Sequence, residues 1–185
     1  MLSSLRRGSV AVVGAAESEL GLCAPGTTPY DLMAQATHRA LKDCGLQLKD
    51  VDGVFTASSQ ARFSSVGLCE YLGLKPRYQD NTLMGGASFM SHVAHAMAAI
   101  NSGLCEVALI AYGSTQKSVS RAAASPREYN AYETPYKPFL PTSAYAMVAA
   151  RHMYQYGTTR EQLAEVAVAA RQWALMNPVA WEKKP

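Results

Sequence analysis

Short strand-like segments alternate with longer segments of helical spacing along the first two thirds of the chain. The strand-like segments are 9–14, 51–56, 78–84 and 107–112. Their small and β-branched apolar residues are typical of strands buried between helices. The alternation predicts a β-α-β-α-β-α-β order with right-handed connections, and therefore an α/β fold with a mixed, mostly parallel sheet covered on both faces.

Capping signals place the helices between these strands. Thr28 followed by Pro29 predicts the start of a helix that ends near Gly45. A short helix over 66–72 is expected to stop at Gly73. Residues 87–100 are apolar on nearly all sides, a pattern that indicates a helix buried in a large protein.

The character of the sequence changes after Gly113. Residues 114–141 are polar and contain four prolines, which predicts a long functional or partner-facing loop. Helices are predicted over 142–156 and from Thr159 to about 176, the second with the capping box Thr159–Gln162. We therefore divide the chain into an α/β domain, residues 1–118, and a proline-rich loop with two helices, residues 119–185.

Composition narrows the class of protein. The 185 residues are 49% hydrophobic and 17% charged, the balance of a folded protein with its own core. The net charge of +3 comes from scattered basic residues, so we expect no nucleic-acid binding. No apolar run approaches the roughly 20 residues of a membrane span, and we expect a soluble cytoplasmic protein. Residues 14–21 lack the GxGxxG pattern of a Rossmann domain.

The four cysteines, Cys23, Cys44, Cys69 and Cys105, form no CxxC pair. Their wide spacing argues against a zinc site and favours free thiols that pack as small hydrophobic groups. We therefore expect no metal site in this chain.

Four segments in order resemble the thiolase superfamily. Val10-Ala-Val-Val-Gly14 before the Pro29 helix is similar to the start of that family, and Asp50-Val-Asp-Gly-Val54 to the entry of its second strand. Gly86-Ala-Ser88 with the apolar segment after it resembles the family's central helix, and Tyr156-Gly-Thr-Thr-Arg-Glu161 a helical start in its loop domain. The resemblance covers nearly the whole chain.

The resemblance implies a thiolase-like layered α/β/α half-fold with part of a helical loop domain. Thiolases have two similar halves, and the second half carries the catalytic histidine and a second cysteine. We therefore expect the second half to lie in a longer polypeptide or in another chain. A half-fold alone would expose a large apolar face, so we expect this chain by itself to be inactive.

Gly86 is the residue that this resemblance places at the thiolase nucleophile. The family's cysteine begins the buried helix, where the helix N-terminus lowers the pKa of its thiol and prepares it to accept an acyl group. Counting back from Ile100 and Ser102-Gly103 places that position on Gly86. Ser88 is an alternative nucleophile, but without an adjacent base we favour a capping or packing role for it.

A second departure from thiolases follows the last strand. Gly113-Ser-Thr-Gln-Lys-Ser118 replaces the usual glutamate and methionine, and Ala144-Tyr-Ala-Met-Val-Ala-Ala-Arg-His152 also looks like the branch related to sterol carrier protein-x, which includes steroid side-chain aldolases. The resemblance implies retro-aldol cleavage of a β-hydroxyacyl-CoA, with a small OB-fold, zinc-ribbon-type partner. Coenzyme A would enter as part of the substrate, with no covalently bound cofactor. The amides of Gly86 and Ala87 are candidate donors to the thioester oxygen.

Two other functions stay open. The chain is alternatively a non-catalytic subunit or scaffold that binds an acyl-CoA or a partner. If the count that places Gly86 is wrong, it is alternatively part of an acyl-CoA acyltransferase.

The remaining candidate residues have competing interpretations. His92 and His95 share a helix face, and a buried, hydrogen-bonded histidine is favoured over a metal pair, since no third ligand is evident. Tyr145 and Met147 are candidates for an acyl pocket, with a partner surface or simple loop packing as the alternatives for the tyrosines of this region. The strand at Asn81–Met84 resembles the one that pairs across the thiolase dimer axis, and predicts a homodimer.

Overall fold

Residues 7–119, 130–139 and 141–184 are described by a computed structural model of the chain. They divide into two units, Met1–Pro126 and Arg127–Pro185. Residues 120–129 of the predicted proline-rich loop lie outside the described residues. The domain boundary expected at 118/119 stays a prediction.

The first unit is built on a three-stranded parallel sheet. Its strands are β1 (Gly53–Thr56), β2 (Tyr78–Asp80) and β3 (Ala108–Ala111), in the order β2-β1-β3. All four residues of β1 are buried, as expected for a central strand between two helical layers. The predicted α/β fold class is confirmed, and the described strands are all parallel.

Three helices of the first unit follow the predicted positions closely. They are α1 (Pro29–Cys44), α2 (Ser64–Leu72) and α3 (Ser88–Asn101). Thr28 caps α1, and Asp31 completes a capping box by accepting a hydrogen bond from the Thr28 amide at 2.7 Å. Gly45 ends the helix in the left-handed conformation, at φ 73°, which glycine adopts without strain.

Successive residues of β1 enter two separate cores. Val54 packs with Met33 of α1 and Leu68 of α2, whereas Phe55 packs with Ala96 and Ala99 of α3. Because side chains alternate across a strand, α1 and α2 cover one face of the sheet and α3 covers the other. This is the layered α/β/α arrangement expected from the sequence.

The strand predicted over residues 9–14 is wrong, because no described strand pairs with this segment. Val12 and Val13 are instead exposed, at 82% and 62%. The segment lies along α1, where a Cβ at Gly14 would stand 2.5 Å from the Ala40 carbonyl oxygen. Apolar composition favoured a strand, but without a ladder partner the backbone forms none.

The strand predicted over residues 78–84 is too long, since β2 ends at Asp80. The Asp80 carboxylate accepts hydrogen bonds from the Thr82 amide at 2.7 Å and from the Thr82 hydroxyl at 2.6 Å. The Asn81 side chain accepts one from the Ser64 hydroxyl of α2 at 2.5 Å. Side-chain hydrogen bonds of Asp80 and Asn81 therefore occupy the position where the strand was expected to continue.

The second unit contains two helices at the predicted positions, α4 (Thr142–Tyr156) and α5 (Arg160–Met176). Gly157 ends α4 at φ 69°. Thr159 and Gln162 form the predicted capping box at the start of α5. A single 3₁₀ turn, Thr134–Tyr136, precedes α4 in the described part of the unit. Neither helix has a buried residue.

Candidate functional site

The segment that joins β2 to α3, residues 81–87, presents the candidate site at the carboxyl edge of the sheet. We call it the approach segment. Gly85 has a left-handed φ of 63°, which allows a sharp turn into the helix. Gly86 and Ala87 are exposed, and α3 begins at Ser88 without a side-chain cap from Ala87. A Cβ added at Gly86 would meet nothing within 4 Å.

Ser88 closes the turn that contains Gly86. Its hydroxyl accepts a hydrogen bond from the Met84 amide at 2.8 Å and donates one to the Gly85 carbonyl at 2.7 Å. The side chain is fully buried. This arrangement confirms the packing alternative for Ser88, whereas its hydroxyl caps no amide of α3. The hydroxyl is bonded within the turn and does not face outward as a nucleophile.

His92 holds the same segment from one helical turn further on. Its Nε2 lies 3.0 Å from the Thr82 carbonyl oxygen. A carbonyl oxygen only accepts, so Nε2 carries the hydrogen and donates. The ring is fully buried and packs against Phe55 at 6.2 Å and Phe89 at 5.8 Å, measured between ring centroids. The interpretation of His92 as a packed, hydrogen-bonded histidine is confirmed.

His95 makes a different contact, with Nδ1 2.5 Å from a carboxylate oxygen of Asp80. An open cleft of about 280 Å³ adjoins this pair. Burial opposes ionisation of Asp80, but the hydrogen bonds from Thr82 and the contact with His95 outweigh it and hold the pKa of this carboxyl below its ordinary value. The two histidines therefore contact different groups, and within the described residues no cluster of metal-ligating side chains occurs.

The loops after the other two strands meet at the same edge of the sheet. Gln60, after β1, donates a hydrogen bond to the Thr115 hydroxyl at 2.9 Å and accepts one from the Thr115 amide at 3.0 Å. Its side-chain oxygen also accepts a hydrogen bond from Ser114, after β3, at 3.1 Å. Sequence reasoning missed Gln60, because its partners lie more than fifty residues further along the chain.

The four cysteines are free thiols, as expected. Burial raises the pKa of the Cys69 thiol. Burial, together with the negative charge of Asp52, raises the pKa of the Cys105 thiol, which packs against Gly53. A raised pKa reduces the thiolate fraction, so neither of these two cysteines has the environment of a nucleophile.

Tyr145 and Met147 lie on α4 of the second unit and are exposed at 72% and 74%. Two positions along a helix correspond to a rotation of about 200°. The two side chains therefore leave opposite sides of α4. Their assignment to an acyl pocket stays a prediction.

No helix in the described part of the chain is long and apolar enough to cross a membrane.

Comparison with known proteins gives no match to a protein-family model. Among curated proteins, the chain is 27% identical to a "Steroid side-chain-cleaving aldolase" from Thermomonospora curvata, over 96% of this chain and 48% of that protein. It is 30% identical to an "Acetyl-CoA acetyltransferase" from Methanothermobacter thermautotrophicus, over 92% of this chain and 46% of that protein. The chain thus spans about half the length of these relatives.

Among solved structures, the chain superposes on the "Ltp2-ChsH2(DUF35) aldolase" with a TM-score of 0.70 and 27% identity. The match covers 93% of this chain and 46% of that chain. The fold and these homologues confirm the resemblance to the thiolase superfamily. The chain is similar both to a protein named as a steroid side-chain-cleaving aldolase and to one named as an acetyl-CoA acetyltransferase.

Proposed function

We propose that this chain is the N-terminal part of a thiolase-like aldolase that cleaves a carbon–carbon bond of a β-hydroxyacyl-CoA in steroid or lipid degradation. The observation that carries the proposal is the start of α3, where an exposed Gly86 stands at the position that the resemblance gives to the thiolase nucleophile. The similarity to aldolases over more than nine tenths of the chain supports it.

Retro-aldol cleavage needs no acyl-enzyme. A base removes the proton of the β-hydroxyl, the oxygen becomes a carbonyl, and the bond between Cα and Cβ breaks. The electron pair passes to the thioester as an enolate, which a proton then converts to the shortened acyl-CoA. In this proposal the amides of Gly86 and Ala87, at the positive end of α3, donate to the enolate oxygen. The base is supplied by the second half, from the same polypeptide or another chain.

The state of the thiols supports a route without a covalent acyl group. Gly86 has no side chain, and the nearby Ser88 hydroxyl is occupied by Met84 and Gly85. Burial disfavours the thiolate forms of Cys69 and Cys105. No side chain at the start of α3 therefore has the properties of an acyl acceptor.

Two variants of Gly86 in the complete protein test the role of its amide. Gly86→Pro removes the N–H and is expected to abolish cleavage of a β-hydroxyacyl-CoA. Gly86→Ala keeps the N–H and adds a methyl group that meets nothing within 4 Å, so its activity should stay within about threefold of the unmodified protein. Equal activity of the proline and alanine variants would contradict the assigned role.

The second candidate is acyl transfer, which the 30% identity to an acetyl-CoA acetyltransferase favours. Incubation with acetyl-CoA followed by mass spectrometry separates the two reactions. Acyl transfer through a cysteine adds an acetyl group to a peptide containing one of the four thiols and is blocked by iodoacetamide. The aldolase should show no acetylated cysteine and should keep its activity after iodoacetamide treatment.

A third candidate is a non-catalytic subunit or scaffold that binds an acyl-CoA or a partner. It predicts thioester binding by the assembled protein, without turnover of a β-hydroxyacyl-CoA or of acetyl-CoA. A defined turnover rate in the assembled protein excludes it.

We further propose a homodimer through residues 81–84 and a small OB-fold, zinc-ribbon-type partner. Leu83 and Met84 support the first contact, since both are more than half exposed on the approach segment. The two-component name of the similar aldolase structure supports the second. Light scattering of the complete protein, alone and with a co-purified partner, measures both assemblies; a concentration-independent monomer would exclude the dimer.

A cytoplasmic location completes the proposal and agrees with four free thiols.

A further inference from the structure

Two side chains of α3 make hydrogen bonds to the backbone of the approach segment. Ser88 and His92 are four residues apart on α3 and therefore project from the same face. Ser88 accepts from the Met84 amide at 2.8 Å, and His92 donates to the Thr82 carbonyl at 3.0 Å. From the α3 side the segment is thus held at Thr82 and at Met84, both before Gly85, in addition to the hydrogen bonds that Thr82 makes to Asp80.

Packing determines the direction of the His92 donor. The ring lies edge-on to Phe89, with an interplanar angle of 83°, and tilted by 52° to Phe55 of the central strand. It is fully buried, and its Nδ1 has no hydrogen-bond partner within the described residues. The single hydrogen bond of this buried ring is therefore the one to the approach segment.

We infer that His92 is a positioning residue for the Gly86 and Ala87 amides, an inference that rests on the proposed aldolase function. Donors that stabilise a developing oxyanion must be fixed in place before the reaction, because displacement by about 1 Å can cost about a hundredfold in rate. The direction of these amides depends on the backbone at 82–85. His92 fixes that backbone at Thr82 while lying outside the site itself.

A purely apolar packing role for His92 makes a different prediction, and two substitutions separate the roles. His92→Phe keeps a ring of similar size between Phe55 and Phe89 but removes the donor. His92→Gln loses the ring but carries an amide N–H at a similar distance from the helix. If His92 positions the backbone, the glutamine variant should retain more activity than the phenylalanine variant. If His92 only fills space, the phenylalanine variant should retain more.

The kinetic test uses the complete protein and a β-hydroxyacyl-CoA. His92→Phe should lower kcat by about tenfold to a hundredfold with KM changed by less than about threefold, because the displaced amides act on the transition state. His92→Gln should stay within about fivefold of the unmodified kcat. Tyr71→Phe, which removes a remote hydrogen bond to Asp31, is the control and should leave both constants unchanged.

Amide hydrogen exchange tests the inference independently of turnover. The Met84 and Ser88 amides are hydrogen-bonded, to the Ser88 hydroxyl and the Gly85 carbonyl. Their exchange should be at least tenfold faster in His92→Phe than in His92→Gln, with exchange in β1 and β3 unchanged. If the unmodified protein shows no aldolase activity, the proposed function fails, and the exchange data still decide whether His92 fixes the segment. Equal exchange of Met84 and Ser88 in the two variants would overturn the inference.

Discussion

The helix α3 and the helix pair α4–α5 are similar in length and differ completely in what their side chains contact. The buried positions of α3, Ser88, His92, Ala96 and Ala99, follow the three- and four-residue spacing of one helix face. By contrast, α4 and α5 bury no residue, and Tyr154 and Trp173 are exposed at 90% and 72%. Capping residues and sequence periodicity are enough to locate a helix. The positions of its individual side chains are determined only where one face of the helix packs against the rest of the protein.

Because α3 is packed and α4 is not, the largest loss of unfolding free energy is expected for a substitution in the core between the sheet and α3. Phe55→Ala removes a fully buried ring that packs on Tyr78, at 5.6 Å between centroids, and on α3. The free energy of unfolding should fall by about 3–5 kcal/mol. Val148→Ala on α4, where the side chain is 67% exposed, should change it by less than about 0.5 kcal/mol.

Urea unfolding of the complete protein, followed by circular dichroism, measures both values. Similar losses for Phe55→Ala and Val148→Ala would show that α4 is packed as tightly as the sheet, and would remove the contrast between the two regions.

Substitutions at the helix caps are expected to have smaller effects, and these too should differ between the packed helix α1 and the exposed helix α5. Thr28→Ala and Thr159→Ala each remove a side-chain acceptor from a capping box, which costs about 1 kcal/mol of helix stability. Because α1 packs on the sheet, the first substitution should lower the unfolding free energy by that amount. Because α5 buries nothing, the second should appear mainly as lost helicity at 222 nm. A larger effect on cooperative unfolding from Thr159→Ala than from Thr28→Ala would contradict this assignment.

The smallest expected effect is on the pH dependence of stability, through Asp80, which directly precedes the approach segment. The folded-state pKa of Asp80 lies below its unfolded value, near 3.9, so its stabilising contribution is complete above that value and is lost as the pH falls through the folded pKa. Asp80→Asn keeps an acceptor for Thr82 without the charge. The fall in stability between about pH 5 and pH 2 should therefore be shallower in this variant.

Glu165→Gln, at an exposed position of α5, is the matched control for Asp80→Asn. Its acid unfolding curve should follow that of the unmodified protein. An Asp80→Asn curve as steep as the control would show that the contacts of Asp80 with Thr82 and His95 contribute no pH-dependent stability.

The sequence predicts most helices well because their ends carry local chemistry. Thr28 before Pro29, and Thr159 with Gln162, define helix starts without reference to any distant residue. The strand predictions fail where a partner decides the outcome. Residues 9–14 have strand composition but no ladder partner, and Asp80 ends β2 by bonding Thr82.

The candidate site shows the same division. The helix start near Gly86 and the packing of Ser88 at that start follow from the sequence, since both depend on adjacent residues. The contacts from His92 to Thr82 and from Gln60 to Ser114 and Thr115 do not. These contacts join segments that meet only when β1, β2 and β3 align in the parallel sheet. No local sequence pattern predicts which distant residues will come together there.

The open space at Gly86 also makes this position a site for redesign. A Cβ there would meet no atom within 4 Å, and Gly86, unlike Gly85, does not have a left-handed φ. Gly86→Cys would therefore place a thiol just before the N-terminus of α3, with its Cβ in open space, where the helix favours the thiolate. A single codon change would then install an acyl acceptor on this scaffold, and alkylation of that thiol would report directly on the electrostatics of the helix end.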